Sequence, residues 1–372
     1  MTPDISVIIP LYNARAYICH AIDSLLGQTM RELEILVVDD CSTDGSPELV
    51  EGRYGQEERV RLIRQKHNGG PGVARNTGIG LARGRYIAFC DSDDQVMPDC
   101  YETMYRVALS HDADVVHASG CIVPMVEETP GDMRTVPDAD WAAICLDNPE
   151  VTGPTPVTGA AGEILERWLA HSYHWAIWNK LYRREFLLAH GIRFGKMRLA
   201  EDQQFCFNCL FHAKTYVQLP GYWYCYRQTP GSACHSGSSV KSLVRALNAV
   251  REVEEAMAAC TADLACFREH PEWLRQATDY VTNALDVVFI TPAYAELGEE
   301  KIRASREVAE LFRDAYGESA GEAEEAFHNA HRGKTPVPSI MDVMCDPARL
   351  RALCAQGRFM TREQKLRELA GQ

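Results

Sequence analysis

Apolar and polar positions follow two alternating periods along the first 120 residues. Ile5-Ser6-Val7-Ile8-Ile9 is a β-branched run stopped by Pro10, the mark of a short buried strand. Ala14, Tyr17, Ile18, Ala21, Ile22 and Leu25 then recur at helical spacing over residues 14–27. Leu33–Val38 predicts a second buried strand, and Ser42 to Asp44 supply N-cap residues for a helix near 45–54. A strand over Val60–Arg64, a helix over Val73–Ala82, a strand over Tyr86–Cys90, a helix near 99–110 and a strand at 114–118 complete the series. Strands alternating with helices predict an α/β domain with a mostly parallel sheet, whose ligands bind beyond the carboxyl ends of its strands. The polar clusters at 10–13, 39–45 and 91–94 all stand at such ends, so one crevice can gather them.

The pattern then changes. Residues 124–158 are rich in Pro, Gly, Thr and acids and read as a loop-rich insertion. Residues 160–212 read as helices and Tyr216–Arg227 as one or two aromatic strands. From about 238 onward only helical spacing remains, over 239–268, 272–290, 299–316, 319–331 and 346–370. A catalytic domain over 1–235 and a helical C-terminal domain over 236–372 are expected, in line with a length of 372 residues.

Charge narrows the partners. With 38 Lys+Arg against 52 Asp+Glu the chain carries −14, which argues against a general binder of nucleic-acid backbones. No apolar run approaches the length of a membrane span, and the N-terminus lacks the basic start of a secretory signal, so a cytoplasmic location is expected. The 14 cysteines are too few for a disulfide scaffold and mostly fall inside apolar segments, where they read as reduced core residues.

Four constellations carry chemistry. Asp91-Ser92-Asp93-Asp94 ends a buried strand, and three carboxylates within four residues repel one another unless a cation relieves them. Hard oxygen donors of this kind suit Mg²⁺ or Mn²⁺, although a solvated acidic turn has the same composition. Asp39-Asp40 can hydrogen-bond a base or ribose, or cap the next helix. Gly69-Gly70-Pro71-Gly72, followed by Arg75 and Asn76, offers close backbone approach and a planar cationic fork, or a plain turn with a surface arginine. Glu201-Asp202 opens a helix, where two acids are favourable caps and where one can serve as a general base. Gly78-Ile79-Gly80 falls inside a helix and is no dinucleotide fingerprint, there is no Walker loop or HExxH, and Cys206 and Cys209 are expected to pack inward.

Together the segments SVIIPLYNARAYICHAIDSLLGQT, LEILVVDDCSTDGS, GGPGVARNTGIGLARGRYIAFCDSDD, WNKLYRREFL and EDQQF resemble the inverting nucleotide-sugar glycosyltransferases of family 2, over about residues 5–230. The resemblance implies a GT-A fold: a Rossmann-like domain with a mostly parallel central sheet, here followed by an all-helical region. It implies that Pro10 and Tyr12 line a nucleobase pocket, that Asp40 binds the uracil edge with Asp39 beside it, and that Arg75 and Asn76 reach the base or diphosphate. Asp91, Asp93 and Asp94 form a DxD-like motif, with Asp93 or Asp94 on a Mn²⁺ or Mg²⁺ ion and Ser92 at the donor. Asp202 becomes the catalytic base and Glu201 an acceptor contact, with Trp178, Asn179 and Lys180 bordering the acceptor or diphosphate site. Arg227 and Ser232 belong to a segment that folds over the phosphates; Thr229 fills a place that is often basic, and His235 is a substitute for it.

The implied reaction moves a hexosyl or N-acetylhexosaminyl group from a UDP-sugar to a glycan, polyol-phosphate or lipid-linked hydroxyl in cell-surface polysaccharide synthesis. A nucleotidyltransferase of related α/β design is the alternative enzyme reading, and a catalytically inactive carbohydrate-binding homologue is the alternative outside enzymes. The final stretch 349–368 holds six basic residues against Glu363 and Glu368. It reads as peripheral contact with the inner face of the cell membrane, as a contact in a homo-oligomer, or as a solvated face.

Overall fold

The computed structural model describes residues 3–126, 130–147, 151–197, 199–228, 239–336 and 346–369. It divides into two compact units. The first comprises Met1–Lys196, Glu201–Gln228 and Met344–Gln372, and the second Met197–Ala200 and Thr229–Val343.

In the first unit, strands β1 (Ile5–Leu11), β2 (Leu33–Asp39), β3 (Val60–Arg64) and β4 (Tyr86–Phe89) pair in parallel in the order β3-β2-β1-β4. Residues of β1, β2 and β4 are buried almost without interruption, as strands covered on both faces must be. Helices α1 (Ile18–Leu26), α2 (Ser46–Tyr54) and α3 (Pro71–Leu81) connect them and α4 (Cys100–Ser110) follows β4, all within a few residues of the expected bounds. The cap of α2 differs: Gly45 occupies the N-cap at φ +79°, and Asp44 reaches past it to accept the Ser46 N–H at 2.9 Å.

The sheet continues beyond β4 through β10 (Lys180–Arg183), β6 (Val115–Ala118), β11 (Tyr216–Leu219) and β9 (Thr155–Pro156). Strand β10 runs antiparallel to both β4 and β6. It was expected to be helical, because four residues are too few to show a period of two. The expected loop-rich insertion also holds more order than its composition implied. Strands β7 (Gly120–Pro124) and β8 (Trp141–Cys145) pair within a second sheet of order β13-β8-β7-β12-β5, where β5 is Gln95–Val96, β12 is Tyr224–Cys225 and β13 is Met360–Thr361. Its core gathers Met97, Ile122, Met133, Val136, Trp141, Ala143, Tyr222 and Cys225.

The chain end needs a correction. Residues 346–370 were expected to be one helix of a C-terminal domain. They form helices Pro347–Ala355 and Arg362–Leu369 around β13, and they belong to the first unit because β13 pairs with β8. Arg351 donates to the Met125 carbonyl and Arg362 pairs with Asp138, so part of the basic charge is engaged within the fold. The expected boundary at 235/236 lies outside the described residues.

The second unit is helical. Helix α8 (Val240–Thr261) buries Leu243, Ala246, Val253 and Met257, and α10 (Pro271–Leu285) buries Ala277, Val281 and Leu285 against it. Among the described residues no helix is long and apolar enough to cross a membrane. None of the twelve described cysteines is in a disulfide, and Cys206 and Cys209 pack inward as expected.

The depth of α3 is set by Gly78. A Cβ there would stand 2.5 Å from Cγ2 of Ile8, which is wholly buried in β1. Arg75, three residues earlier, lies on the same helical face, so this close approach also sets its depth. Gly78→Ala gains about 1 kcal/mol of helix propensity but overpacks the α3–β1 contact, which costs about 1–3 kcal/mol. Urea unfolding of the variant is expected to show a net loss of stability; a gain would contradict the tight contact.

Candidate active site

The loops after β1 and β2 interlock. The Asn13 N–H donates to Ser42 Oγ at 3.0 Å, and Asn13 Oδ1 accepts the Thr43 N–H at 2.7 Å. Asn13 and Cys41 take left-handed φ values of +50° and +65°, a cost that the surrounding bonds hold in place. Tyr12 is left 52% exposed beside half-buried Pro10, an unusual position for a large aromatic ring.

Both acids at the end of β2 are buried. Asp39 Oδ1 accepts the Ser42 N–H at 3.1 Å. Asp40 holds the glycine loop: Oδ1 accepts from Gln65 Nε2 and the Gly69 N–H, each at 2.8 Å, and Oδ2 accepts from the Gly70 N–H at 2.7 Å. A carboxylate accepts about four hydrogen bonds, so these three leave room for one more donor.

The acidic turn 91–94 passes from β4 in the first sheet to β5 in the second. The Asp91 N–H donates to the Tyr224 hydroxyl at 3.0 Å. Asp94 is buried and accepts the Arg227 N–H at 2.7 Å; burial, then the charges of Asp93 and Asp91, push its carboxyl well above the usual range. Ser92 and Asp93 are half-buried in the same turn. The carboxylates of this turn are hard oxygen donors of the kind that suit a divalent cation, which would offset the charges of Asp93 and Asp91 that add to the effect of burial on Asp94.

Helix α7 (Glu201–His212) brings Glu201 and Asp202 to the same guanidinium as Asp91 of the acidic turn. Nη2 of buried Arg75 reaches Asp91 Oδ1 at 2.9 Å, while Nη1 reaches Asp202 Oδ1 at 3.1 Å and Glu201 Oε1 at 3.4 Å. Burial pushes the Asp202 carboxyl up to about 8, against the pull of Arg75, with Glu201 and Asp91 adding to the rise. Glu201 is raised for the same first reason. The Asp202 side chain keeps 30% exposure, an edge that solvent and a substrate can reach.

Pro10, Tyr12, Asp39, Asp40, Arg75, Asp91, Ser92, Asp93, Asp94, Glu201 and Asp202 therefore lie at the strand ends, the glycine-loop helix and the start of α7, as the sequence pattern required. Four residues expected to touch substrate are engaged within the fold instead. Asn76 pairs its amide with both backbone groups of Phe194, at 2.9 and 3.0 Å. Asn179 donates to the Ala118 carbonyl and accepts from Lys180. Lys180 spends its ammonium on the carbonyls of His174 and Ala176 and on Asn179, so its donors face the core. Arg227 donates to the carbonyls of Asp93, Pro130 and Gly131 and lies over the Tyr17 ring. Ser232, Thr229 and His235 lie outside the described residues.

Trp178 stacks on Tyr224 at 4.1 Å and 12°, which sets it beside the acidic turn. Tyr224 and Phe194 were not expected at the site. No local pattern marks Phe194, whose ring lies 5.4 Å from the Arg75 guanidinium.

Comparison with known proteins fits this geometry. The family model described as Glycosyl transferase family 2 matches residues 6–137. The uncharacterized glycosyltransferase EpsJ of Bacillus subtilis (strain 168) is 36% identical over 234 residues, 62% of this chain and 63% of that protein. The succinoglycan biosynthesis protein ExoO of Rhizobium meliloti (strain 1021) is 32% identical over 231 residues, 62% of each. The chain thus spans just under two thirds of the length of these relatives. Among solved structures, S. aureus TarS 1-349 in complex with UDP-GlcNAc superposes with a TM-score of 0.59 at 22% identity, covering 95% of this chain and 92% of that one, a likeness of fold. The strand-end acids, the glycine loop and the acidic turn all lie inside the matched segment, so the site residues themselves carry the similarity of residues 6–137 to glycosyl transferase family 2.

Proposed function

We propose that the chain transfers a sugar from a UDP-sugar to an acceptor hydroxyl with inversion at the anomeric carbon. The observation that carries this reading is the meeting of Asp202 and Asp91 on one guanidinium, which sets a candidate base beside the acidic turn. The exposed Tyr12 ring and the remaining acceptor position of Asp40 suit a uracil and its N–H. Asp93 and Asp94, with Asp91, would hold Mn²⁺ or Mg²⁺, which when bound neutralises the diphosphate leaving group. Asp202 takes the proton of the acceptor hydroxyl while that oxygen bonds to the anomeric carbon. The bond from that carbon to the diphosphate oxygen breaks on the opposite face, and UDP leaves with the electron pair. Glu201 and the Trp178 ring border the acceptor side.

The names of the relatives support surface polysaccharide synthesis as the setting, and the UDP-GlcNAc bound by TarS supports a hexosyl or N-acetylhexosaminyl donor. A lipid-linked acceptor would bring the enzyme to an anionic surface, where exposed Arg349 and Arg358 can meet phosphate headgroups.

Asp202→Asn is expected to retain fold and UDP binding and to abolish transfer, read as UDP release from a panel of UDP-sugars. Unchanged turnover would remove Asp202 from the role of base. In the unsubstituted enzyme kcat/KM should fall on the acid side of about pH 8, where the ligand-free carboxyl takes up its proton. Stability follows the same group. The folded state holds a proton that the unfolded carboxyl has released above its ordinary value of 3.8, so stability falls as pH rises from about 4 to 8. Asp202→Asn should flatten that slope in thermal melts, leaving the contribution of Glu201, which is raised in the same direction. Asp93→Ala should weaken Mn²⁺-dependent UDP binding at least tenfold by calorimetry, and equal affinity would exclude Asp93 from the ion site.

A further inference from the structure

We propose that Arg75 is a positioning residue that fixes Asp202 and Asp91 relative to each other through one rigid guanidinium, in place of clamping the donor diphosphate. This rests on the reading of Asp202 as the base. Arg75 is buried, and its two terminal nitrogens are directed at carboxylates from two other elements: Nη2 at Asp91 at the end of β4, Nη1 at Asp202 and Glu201 on α7. Nη1 and Nη2 already address the three carboxylates, so end-on capture of a phosphate by these two nitrogens would compete with those contacts, while Nε is buried, with no partner among the described residues.

The surroundings hold the fork still. The Phe194 ring lies 5.4 Å from the guanidinium carbon, and Asn76 locks the Phe194 backbone from the next residue of α3. Gly72, at the start of α3, runs so close to Phe194 and Glu201 that a Cβ would stand 3.2 Å from one and 3.5 Å from the other. Gly78 presses the same helix onto β1. A lysine keeps the charge at this position but offers a single point in place of a fork, so it cannot address both acids in one geometry.

The test uses the full chain carrying R75K, R75Q, D202N and the double variant R75Q/D202N, each checked for native circular dichroism. In turnover, R75K is expected to lose at least thirtyfold in kcat while its calorimetric Kd for UDP with Mn²⁺ stays within threefold. A tenfold weaker Kd with kcat retained would make Arg75 a donor ligand and overturn the proposal, as would no change in either. In urea unfolding, R75Q and D202N should be non-additive, the double variant losing less than the two single losses combined, because each removes the same contact. Additive losses overturn the proposal. If R75Q fails to fold, the same cycle is run with R75K. The unfolding cycle needs no turnover: absence of sugar transfer by the unsubstituted chain would defeat the proposed function, while the cycle would still decide whether Arg75 holds Asp202.

Discussion

A buried guanidinium facing three carboxylates is the constraint around which the first unit is built. Burying a charge is costly unless it is paired with good geometry. Arg75 meets that condition only if the glycine-loop helix, the end of β4 and the start of α7 arrive at the same place. The pairing is unequal, with three acids around one cation. Burial outweighs the remaining attraction and leaves Asp202 raised to about 8 and Glu201 raised with it. The ligand-free carboxyls therefore favour their protonated forms, and a nearby cation would shift them toward the charged form.

The acidic turn is held by a different device. It is the only stretch between β4 and β5, so its ends are fixed by two separate sheets. Tyr224 accepts from its first residue and the Arg227 backbone donates to its last. Behind α7, Lys180 ties the carbonyls of His174 and Ala176 to Asn179, and burial lowers its pKa. Cys206, one turn beyond Asp202 on α7, donates to the Trp175 carbonyl in that same loop. Polar residues near the site thus divide into those that face it and those that hold its loops, as preorganised sites require.

Much of the first unit was legible in the sequence. β1, β2 and β4 carry apolar runs of their own, and each ends in residues with a chemical signature. β10 was misread because an antiparallel four-residue strand has no period to detect, and its neighbours on either side look helical. β13 is shorter still, and its pairing with β8 joins residues more than 200 positions apart, which no local pattern can express. Asn76, Asn179, Lys180 and Arg227 were marked by residue type and motif, but a donor's chemistry does not reveal which acceptor it meets.

The sequence by itself determined where the acids stand along the chain, because strand ends, helix starts and glycine loops are local consequences of apolar period and backbone freedom. The tertiary structure decided which of those groups face one another. Asp91, Arg75 and Asp202 lie 16 and 127 residues apart in sequence and within a hydrogen bond in space. That closeness comes from strand order, from the absent side chain at Gly78 and from the energetic need to pair a buried charge, all of which exist only once the chain has closed on itself.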